Sequence, residues 1–474
     1  MRNSKLNIDM LEVRKELFKR REFDFITKRE GRDHLKQKEA LMYLTDFDTE
    51  EFMYGGAAGG AKSWTGCTWL LFMCLNFPSS KWFIGRDELK KITQSTLDTF
   101  FKVAREYKVN CFTYNAQKNF ISFANGSRID LLELKYLPRD PLFERFGSME
   151  YTGGWIEEGG EIHFGAYDIL NTRVGRQLNA EYGIKAKIFV TCNPKKNWMY
   201  TEFYKPAKAG TLAEGKEFLQ AFVKDNPFID PDYIKRLAKI KDKATRERLE
   251  KGNWDYDDNP YALCSHQNVL AVFENDHITN GRQWYITADI ARFGSDRARI
   301  GVWHDWELKE IVSFNISKTT EIQAAIEALR TSHNIAKHFC IADEDGVGGG
   351  VVDNCGIKGF VNGSKPFAEK ITGNKFETPQ FENLQSQCLY RLAERINENK
   401  IYISADISGA DKEVLTTELG TIERDPKNTK KLALVKKAKI KENIGWSPDF
   451  RDMMLMRQYF EYREAQRTTM KLTR

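Results

Sequence analysis

Short apolar runs alternate along this chain with segments whose apolar residues recur at helical spacing. The runs 81–86, 187–192 and 338–342 have the length and the flanking turn residues of buried strands. The segments 34–44 and 320–333 have the apolar spacing of a helix packed on a core. Strands that alternate with helices favour a parallel sheet wound with helices, so we expect an α/β protein.

Turn and boundary signals divide this pattern. The turn 125–127 (Asn-Gly-Ser) separates two apolar runs and predicts a hairpin over about 120–132. The polar stretch 255–260 ends the first pattern, and a new apolar rhythm begins after it. The predicted organisation is a first domain over 1–254 that opens with a charged helical arm, a linker over 255–275, and a second domain over 276–474.

A glycine-rich segment ahead of a helical pattern carries the first candidate chemistry. Its glycines allow tight turns that point backbone N–H groups at an anion. Lys62 would reach the β- and γ-phosphates of ATP, and the Ser63 hydroxyl would hold Mg²⁺. We expect a helix to begin near Lys62, with the positive end of its dipole towards the phosphates. The alternative is a flexible loop before a buried helix. The predicted ATP-binding residues are Gly56, Ala57, Ala58, Gly59, Gly60, Ala61, Lys62 and Ser63.

Polar residues at the ends of later strands suit ATP hydrolysis. Glu157 would support Mg²⁺, usually through water, and Glu158 would polarise the attacking water. Asn193 follows another strand and would sense the γ-phosphate, although an ordinary turn residue is the alternative. Gln37, on the helix before the glycine-rich segment, either reads adenine with its amide or is a solvated helix residue.

Aspartates end two strands of the second half and open a helix. One run ends at Asp289 and another at Asp343, while a helix near the C-terminus opens at Asp449 with Asp452 on its first turn. Three early strands, a helix and a further strand ending in Asp are the order of an RNase H-like nuclease. Carboxylates suit Mg²⁺ or Mn²⁺, and two such ions would activate water and stabilise the leaving oxygen of a phosphodiester. Each aspartate alone has an alternative as a cap or turn residue.

A lysine-rich segment over 427–441 lies just ahead of Asp452. We predict two short strands around a turn, with lysines that line the mouth of the nuclease and contact DNA phosphates. The alternative is a solvated basic hairpin.

Composition narrows the class of protein. The net charge of +6 is mild, so any argument for nucleic-acid binding depends on where the charges lie. The eight cysteines include no C-x-x-C pair, which argues against zinc and favours a reducing compartment. The charged N-terminus predicts no signal peptide, and no apolar run approaches the length of a membrane span.

The motifs of the first half together resemble the large terminase subunit of tailed bacteriophages, a DNA-packaging motor. The resemblance rests on the glycine-rich segment, the strand ending at Glu158, the element 191–194, the turn 225–228 and the ending 249–254. It departs from the family pattern at Ala61, where Gly is usual, and at Glu157, where Asp is commoner.

The second half is similar to the terminase nuclease domain. Its matching motifs are D-x-x-x-x-G-x-D at 289–296, D-x-x-G-x-G at 343–348 and S-P-D-x-x-D at 447–452. The resemblance implies Asp289, Asp343 and Asp452 as the main metal ligands. Asp296, Asp345 and Asp449 are auxiliaries or alternatives.

This resemblance implies a P-loop ATPase domain followed by an RNase H-like nuclease domain. The implied function is ATP-driven translocation of double-stranded DNA into a procapsid, with cleavage of concatemeric DNA by two Mg²⁺ or Mn²⁺ ions. The implied partners are DNA, a portal protein, a small terminase subunit and further copies in a ring on the portal, with a monomer in solution as an alternative. The expected location is the host cell cytoplasm, without a membrane.

The family also uses an arginine finger, and this glycine-rich segment has no arginine. Arg173 or Arg176 is the predicted finger, with Arg86 and Arg145 as rivals. Two other classes of protein share some of these motifs. A DNA-repair helicase-nuclease would continue with a second motor domain, and a non-catalytic ATP-binding scaffold is disfavoured by Lys62, Glu158 and the aspartates.

Overall fold

A computed structural model of the protein describes residues 27–462 except 138, 141, 257–258, 279–280, 292–296, 315–317, 373–374 and 378. The chain divides into two compact units, Met1–Asp258 and Asn259–Arg474. Most of the predicted helical arm, and Asp296 with the turn before it, lie outside the described residues.

The first unit contains a short hairpin and one large sheet. The hairpin is Lys28–Arg29 (β1) and Arg32–Asp33 (β2). The strands of the large sheet are Glu51–Gly56 (β3), Lys81–Arg86 (β4), Phe112–Asn115 (β5), Phe120–Phe123 (β6), Arg128–Glu133 (β7), Gly153–Glu157 (β8), Lys187–Cys192 (β9) and Lys216–Ala221 (β10). The order across the sheet is β10–β3–β9–β8–β4–β7–β6–β5.

The strands from β10 to β7 pair in parallel, whereas β5, β6 and β7 pair antiparallel. The predicted hairpin of β6 and β7 is therefore confirmed. Because parallel strands end at the same edge, the glycine-rich loop after β3 lies beside the ends of β8 and β9. This arrangement brings together residues that lie more than a hundred positions apart in the sequence.

Helices cover both faces of this sheet. They are Leu35–Thr45 (α1), Lys62–Asn76 (α2), Leu89–Lys91 (α3), Leu97–Glu106 (α4), Phe164–Asn171 (α5), Asn179–Tyr182 (α6), Lys205–Ala209 (α7), Pro231–Ala238 (α8) and Lys243–Leu249 (α9), with π-helical turns at Ile92–Thr96 and Tyr200–Tyr204. Short 3₁₀ turns lie at Glu144–Phe146, Gly159–Glu161 and Val223–Asp225. The predicted helix start near Lys62 is confirmed.

Helix α2 lies unusually close to β8. A Cβ atom added at Gly66 of α2 would lie 2.4 Å from the Trp155 ring, which is fully buried on β8. Only glycine allows this approach without displacing the ring. The close contact fixes the start of α2, and hence Lys62, relative to the strand that ends at Glu157.

The second unit is built on a six-stranded sheet. Its strands are Trp284–Asp289 (β11), Ala298–His304 (β12), Glu307–Phe314 (β13), Cys340–Asp343 (β14), Lys358–Phe360 (β15) and Tyr402–Ile403 (β18), and a separate hairpin is formed by Glu369–Thr372 (β16) and Lys375–Glu377 (β17). The order is β15–β14–β11–β12–β13–β18. Strands β11 to β13 are antiparallel neighbours and β14 pairs parallel with β11, which is the RNase H-like order.

The helices of this unit are His266–Ala271 (α10), Thr319–Ser332 (α11), Gly348–Cys355 (α12), Leu384–Asn397 (α13), Gly409–Leu419 (α14), Lys437–Ile444 (α15) and Asp449–Leu455 (α16), with 3₁₀ turns at Lys337–Phe339 and Met456–Gln458. Helix α16 packs on β11 and β12 through buried Phe450 and Met453. The predicted fold class, a P-loop ATPase domain followed by an RNase H-like nuclease domain, is confirmed. Among the described helices, none combines the length and the apolarity needed to cross a bilayer.

The prediction of two strands in the lysine-rich segment is wrong. Leu432 and Leu434 make only isolated bridges, to Phe381 and Arg424, and residues from Lys437 form helix α15. Alanine and lysine have good helix propensity, and Gly445 ends the helix in the left-handed conformation. The apolar residues therefore anchor the segment locally, while the second predicted strand is replaced by a helix.

Candidate active sites

The glycine-rich loop joins β3 to α2 and holds its lysine inward. The Lys62 ammonium donates to the Ala57 carbonyl at 2.5 Å and the Gly56 carbonyl at 3.2 Å, and it lies 3.3 Å from Asn193 Oδ1. Burial lowers the pKa of Lys62, which the nearby Glu158 carboxylate opposes. A buried ammonium that has only carbonyl and amide partners is well suited to bind an anion. Ser63 follows on the first turn of α2 and is half-buried.

Ala61 stands where the family pattern has glycine, and its backbone explains that pattern. It has φ of 59° and ψ of 22°, in the left-handed region that disfavours residues with a Cβ atom. Gly59 nearby has φ of 80°. The loop therefore keeps the conformation expected of a phosphate loop, at the expense of local strain at Ala61.

Asn193 links the lysine to the predicted water-polarising carboxylate. Its amide nitrogen lies 3.5 Å and 3.4 Å from the two carboxylate oxygens of Glu158, and its amide oxygen faces Lys62. Burial raises the pKa of Glu158, as the neighbouring Glu157 also does, while Lys62 lowers it. Glu158 itself adopts φ of 52° in the left-handed region. The structure thus brings Lys62, Asn193 and Glu158 into one network.

Glu157 is held by Arg86, the last residue of β4, and by Thr96 from the segment that follows this strand. Its Oε2 atom accepts a hydrogen bond from the Thr96 hydroxyl and lies 3.5 Å from the Arg86 guanidinium. The π-helical turn Ile92–Thr96 presents Thr96, and its Ser95 accepts a hydrogen bond of 3.2 Å from Arg86. Glu157 is 3% exposed. Sequence reasoning missed Thr96, because a π-helical turn has no pattern that distinguishes it from an ordinary helix start.

The candidate arginines occupy different surroundings. Arg173 donates to the Gly147 carbonyl and the Thr172 hydroxyl, and Arg145 pairs with Asp140 at 2.5 Å. Arg176 is exposed. Arg86 is the candidate that contacts a site carboxylate. The finger role of Arg173 stays a prediction.

His34 and Gln37 are buried at the start of α1, ahead of the glycine-rich loop in the sequence. Gln37 is 1% exposed, so its alternative as a solvated residue is wrong. His34 Nδ1 accepts from the Gln37 backbone at 3.1 Å, which places the imidazole proton on Nε2. Burial lowers the pKa of His34 to about 4, so the ring is neutral at pH 7.

Three buried polar atoms lack hydrogen-bond partners among the described residues, namely His34 Nε2, Gln37 Nε2 and the Trp64 indole nitrogen. Trp64 directly follows Ser63, and Arg29 stacks on its ring at 4.1 Å. Asn226 donates to the Gly59 carbonyl at 2.7 Å and ties the segment before Phe228 to the loop. Phe228 in turn lies 6.3 Å from the His34 ring. Unpaired buried donors close to aromatic rings are typical of a site for a planar polar group such as a nucleobase.

The predicted nuclease aspartates converge in the second unit. Asp289 and Asp343 end the neighbouring strands β11 and β14, and Asp449 and Asp452 lie on the first turn of α16. Burial raises the pKa of Asp289 well above its usual range, and Asp449, Asp452 and Asp343 raise it further, while Lys437 opposes them. Burial also raises the pKa of Asp343 to about 6. The charges of the neighbouring aspartates therefore act on the pKa of Asp289.

Two cations hold Asp452. Its Oδ1 accepts from the Arg451 guanidinium at 2.7 Å, and its Oδ2 lies 2.7 Å from the Lys437 ammonium. Although burial opposes ionisation, these cations hold the pKa of Asp452 below its usual range. Lys437 begins helix α15, so the correction to the lysine-rich segment also explains how one lysine reaches the aspartates.

The remaining predicted residues surround this cluster. Asp449 accepts from the Arg297 backbone at 2.8 Å, and Asp343 accepts from the Asp345 backbone at 3.1 Å. Asn362 donates to Asp343 at 3.2 Å and to Asp345 at 2.9 Å. Asn362 carries no motif, so only the parallel pairing of β14 with β15, whose end it follows, identifies it. Asp345 is exposed, and Asp296 lies outside the described residues.

The donor set suits a divalent metal in kind, because Asp449, Asp452 and Asp343 raise the pKa of Asp289 and a cation would relieve that repulsion. Among the described residues, however, no group of three or more acidic, histidine or cysteine side chains is arranged to hold an ion. The Lys437 ammonium is the cation that contacts Asp452.

Several lysines of the lysine-rich segment face solvent. The exposed ones are Lys427, Lys430, Lys431, Lys436 and Lys439. Lys439 pairs with Glu442 at 2.8 Å. Lys436 and Lys439 flank Lys437, which contacts Asp452, and positive charge next to an acidic centre suits the binding of a phosphodiester.

Comparisons with known proteins concern both units. A model of the phage terminase large subunit family matches residues 48–251. No curated protein matches the chain. The chain is similar to the large terminase from a thermophilic bacteriophage in complex with ADP, at 12% identity over 89% of this chain and 99% of that one, with a TM-score of 0.41. It is also similar to the nuclease domain of the large terminase subunit of bacterial virus Sf6, at 22% identity over 42% of this chain and 98% of that one, with a TM-score of 0.37. The family predicted from the motifs is thus confirmed, since residues 48–251 match the phage terminase large subunit.

Proposed function

We propose that this chain uses ATP hydrolysis to translocate double-stranded DNA into a procapsid and cuts concatemeric DNA with its second unit. The coarse part of this function, phage DNA packaging by a protein with ATPase and nuclease domains, follows from the family. The finer part is supported by the two clusters described above.

The single observation that carries the ATPase proposal is the network of Lys62, Asn193 and Glu158. Lys62 would bind the β- and γ-phosphates in place of its present carbonyl partners. Glu158, whose pKa is raised by burial, would accept a proton from or polarise the attacking water. Asn193 contacts both residues, so it would report the presence of the γ-phosphate to the carboxylate.

Ser63 and Glu157 would hold Mg²⁺, which would neutralise charge on the phosphates. Thr96 and Arg86 both contact Oε2 of Glu157. The other oxygen, Oε1, is then the atom that would face a metal-bound water. Thr96 and Arg86 would thereby fix the orientation of the Glu157 carboxylate.

Gln37 and His34 would bind the base of ATP. The buried Gln37 amide would pair with the adenine edge, and the neutral His34 would donate from Nε2 to a ring nitrogen. Without a ligand these donors have no partners among the described residues, and binding would supply them.

The second unit would cut DNA by metal-assisted hydrolysis. Asp289, Asp343 and Asp452 would hold the ions, with Asp449 as an auxiliary, and Mg²⁺ or Mn²⁺ would supply the activated water and stabilise the leaving oxygen. The exposed lysines from Lys427 to Lys439 would hold the DNA backbone, since phosphate contacts position a nucleic acid.

The partners and the location belong to the same proposal. A portal protein, a small terminase subunit and a ring of copies on the portal follow from the resemblance to terminases, as does the host cell cytoplasm. Their support is the family of residues 48–251.

The test is Lys62→Ala in the full chain. Loss of the ammonium should abolish ATP turnover and DNA packaging, because the β- and γ-phosphates lose their positive partner. Cleavage of plasmid DNA by the same preparation should persist. Lys135→Ala is the matched control, since Lys135 is an exposed lysine paired with Glu88 at 3.1 Å. Turnover near wild type in Lys62→Ala would overturn the assignment.

The roles of the two glutamates can be separated by the same assay. Glu158→Gln should keep ATP binding and lose turnover, because the amide cannot accept a proton from water. Glu157→Gln should instead raise the Mg²⁺ concentration needed for turnover. The reverse pair of phenotypes would exchange the roles.

A further inference from the structure

Glu418 is a buried carboxylate behind the nuclease aspartates that has no place in the mechanism above. It lies near the end of α14 and is 1% exposed. Its Oε1 accepts from the Trp446 indole nitrogen at 3.2 Å, and its Oε2 accepts from the Arg451 backbone nitrogen at 3.1 Å. Both carboxylate oxygens are therefore used by residues next to or inside the first turn of α16.

Helix α16 needs such a partner, because its own cap position is poor. Pro448 precedes the helix and provides no side-chain cap, so the backbone donors of the first turn depend on other groups. Glu418 supplies an acceptor for one of these donors from a different helix. The turn that Glu418 holds in this way carries Asp449 and Asp452.

Arg451 extends this contact to the aspartate itself. Its guanidinium contacts the Thr421 hydroxyl at 3.3 Å and donates to Asp452 Oδ1 at 3.0 Å and 2.7 Å. Glu418 and Thr421 both belong to the end of α14 and the turn after it. One short segment therefore fixes the backbone and the side chain of Arg451, and through them the orientation of Asp452.

We propose that Glu418 is a positioning residue of the nuclease site, which sets the placement of Asp449 and Asp452 for divalent metal ions by holding the first turn of α16 from α14. The inference rests on the proposed nuclease function. Glu418 acts through Trp446 and Arg451 and makes no contact with DNA in this role. Residues of this kind outside the ligand set typically change metal affinity or activity by about 10–100-fold when they are replaced.

The test variant is Glu418→Gln in the full chain. The glutamine keeps one oxygen acceptor and turns an N–H₂ group towards the second donor, so one of the two hydrogen bonds is lost. We expect the Mn²⁺ dissociation constant measured by calorimetry to rise about tenfold, with cleavage largely restored at saturating Mn²⁺. ATP turnover in the same preparation should be unchanged.

Two further variants separate positioning from simple destabilisation. Trp446→Phe removes one donor and keeps the Arg451 contact, so its Mn²⁺ affinity should fall by less than that of Glu418→Gln. Glu398→Gln is the control, because Glu398 is an exposed carboxylate paired with Lys400 at 2.7 Å. Wild-type Mn²⁺ affinity in Glu418→Gln would overturn the proposal, as would a lower melting temperature without any change in Mn²⁺ affinity.

Failure of the proposed nuclease function would look different. In that case Asp289→Asn would bind Mn²⁺ as tightly as the wild-type chain, whatever Glu418→Gln does. If Asp289→Asn loses Mn²⁺ binding and Glu418→Gln does not, the nuclease assignment stands and only the positioning role of Glu418 is wrong.

Discussion

The two candidate sites solve opposite electrostatic problems. In the first unit, Lys62 is buried among carbonyl oxygens and Glu157 is paired with Arg86 and Thr96, so the cations and donors are already placed for an incoming anion. In the second unit, the charges of Asp449, Asp452 and Asp343 add to burial in raising the pKa of Asp289. The first site therefore offers donors that suit an anion, and the second offers carboxylates that suit cations.

This difference has a consequence for rigidity. Opposite charges and polar groups that contact one another can hold a site together, as Lys62, Asn193 and Glu158 do in the first unit. Like charges in a cluster repel one another, so neighbouring groups outside the cluster must hold them in place. In the second unit, Lys437 and Arg451 pair with Asp452, and Glu418 accepts a hydrogen bond from the Arg451 backbone.

Among the variants that would test this contrast between the two sites, Asp289→Asn should have the largest effect. The change keeps the size of the side chain and removes one negative charge that two close divalent ions require. Plasmid cleavage in Mn²⁺ should fall by more than the roughly 100-fold expected for a residue outside the ligand set. ATP turnover should remain, because Asp289 belongs to the second compact unit.

Asp343→Asn and Asp452→Asn should behave like Asp289→Asn, and Asp449→Asn should be milder. Both activities are to be measured on the same preparations. Full cleavage by the Asp289 variant would remove it from the site. A dead Asp449 variant beside an active Asp452 variant would exchange these two residues as ligands.

The next effect concerns His34 and the stability of the first unit in acid. The pKa of His34 is about 4 in the folded chain, whereas an unperturbed histidine has a pKa of 6.5. Between pH 4 and pH 6.5 the unfolded chain therefore binds a proton that the folded chain does not. Stability should therefore rise with pH over this window and be lost as pH falls from 6.5 towards 4, by up to about 3 kcal/mol.

His34→Asn is the variant for this test, because asparagine can still cap α1 at the Gln37 nitrogen and does not titrate here. Thermal melting of both chains at pH 7.5, 6 and 5 would show the effect as a gap that changes with pH. A wild-type chain that loses no more stability in acid than His34→Asn would contradict the buried, neutral histidine.

A smaller effect is expected for Thr96→Val, which removes the hydroxyl and keeps the shape. The buried Glu157 carboxylate would lose a donor, and a hydrogen bond to a charged group contributes about 1.5–3 kcal/mol. ATP turnover should fall about tenfold, with a higher Mg²⁺ requirement, since 1.4 kcal/mol corresponds to a factor of ten. Thr96→Ser keeps the hydroxyl and should stay near wild type. Equal losses in both variants would show that only the packing of Thr96 matters.

The two sites also differ in how far the sequence predicts them. The phosphate loop is contiguous, so Lys62 and its flanking glycines identify it directly, and the strand order then places Glu158 and Asn193 beside it. Contacts from residues without a motif could not be predicted. Thr96 is presented by a π-helical turn, and Glu418 reaches α16 only because α14 packs against it. The prediction for the lysine-rich segment failed because alanine and lysine have good helix propensity, and a helix from Lys437 takes the place of the second strand.

The smallest predicted effect concerns Ala61, the position at which the glycine-rich loop departs from the family pattern. Ala61 has φ of 59°, and a left-handed conformation costs a residue with a Cβ atom about 1–2 kcal/mol. Ala61→Gly removes that strain but gives the unfolded chain more freedom, which offsets about 0.5–1 kcal/mol. We expect a net stabilisation of about 0.5–1 kcal/mol with ATP turnover retained. Ala58→Gly in the same loop is the control, because φ of Ala58 is not positive and glycine there should destabilise the chain. If both variants destabilise the chain equally, the left-handed backbone at Ala61 carries no strain, and the loop tolerates alanine for another reason.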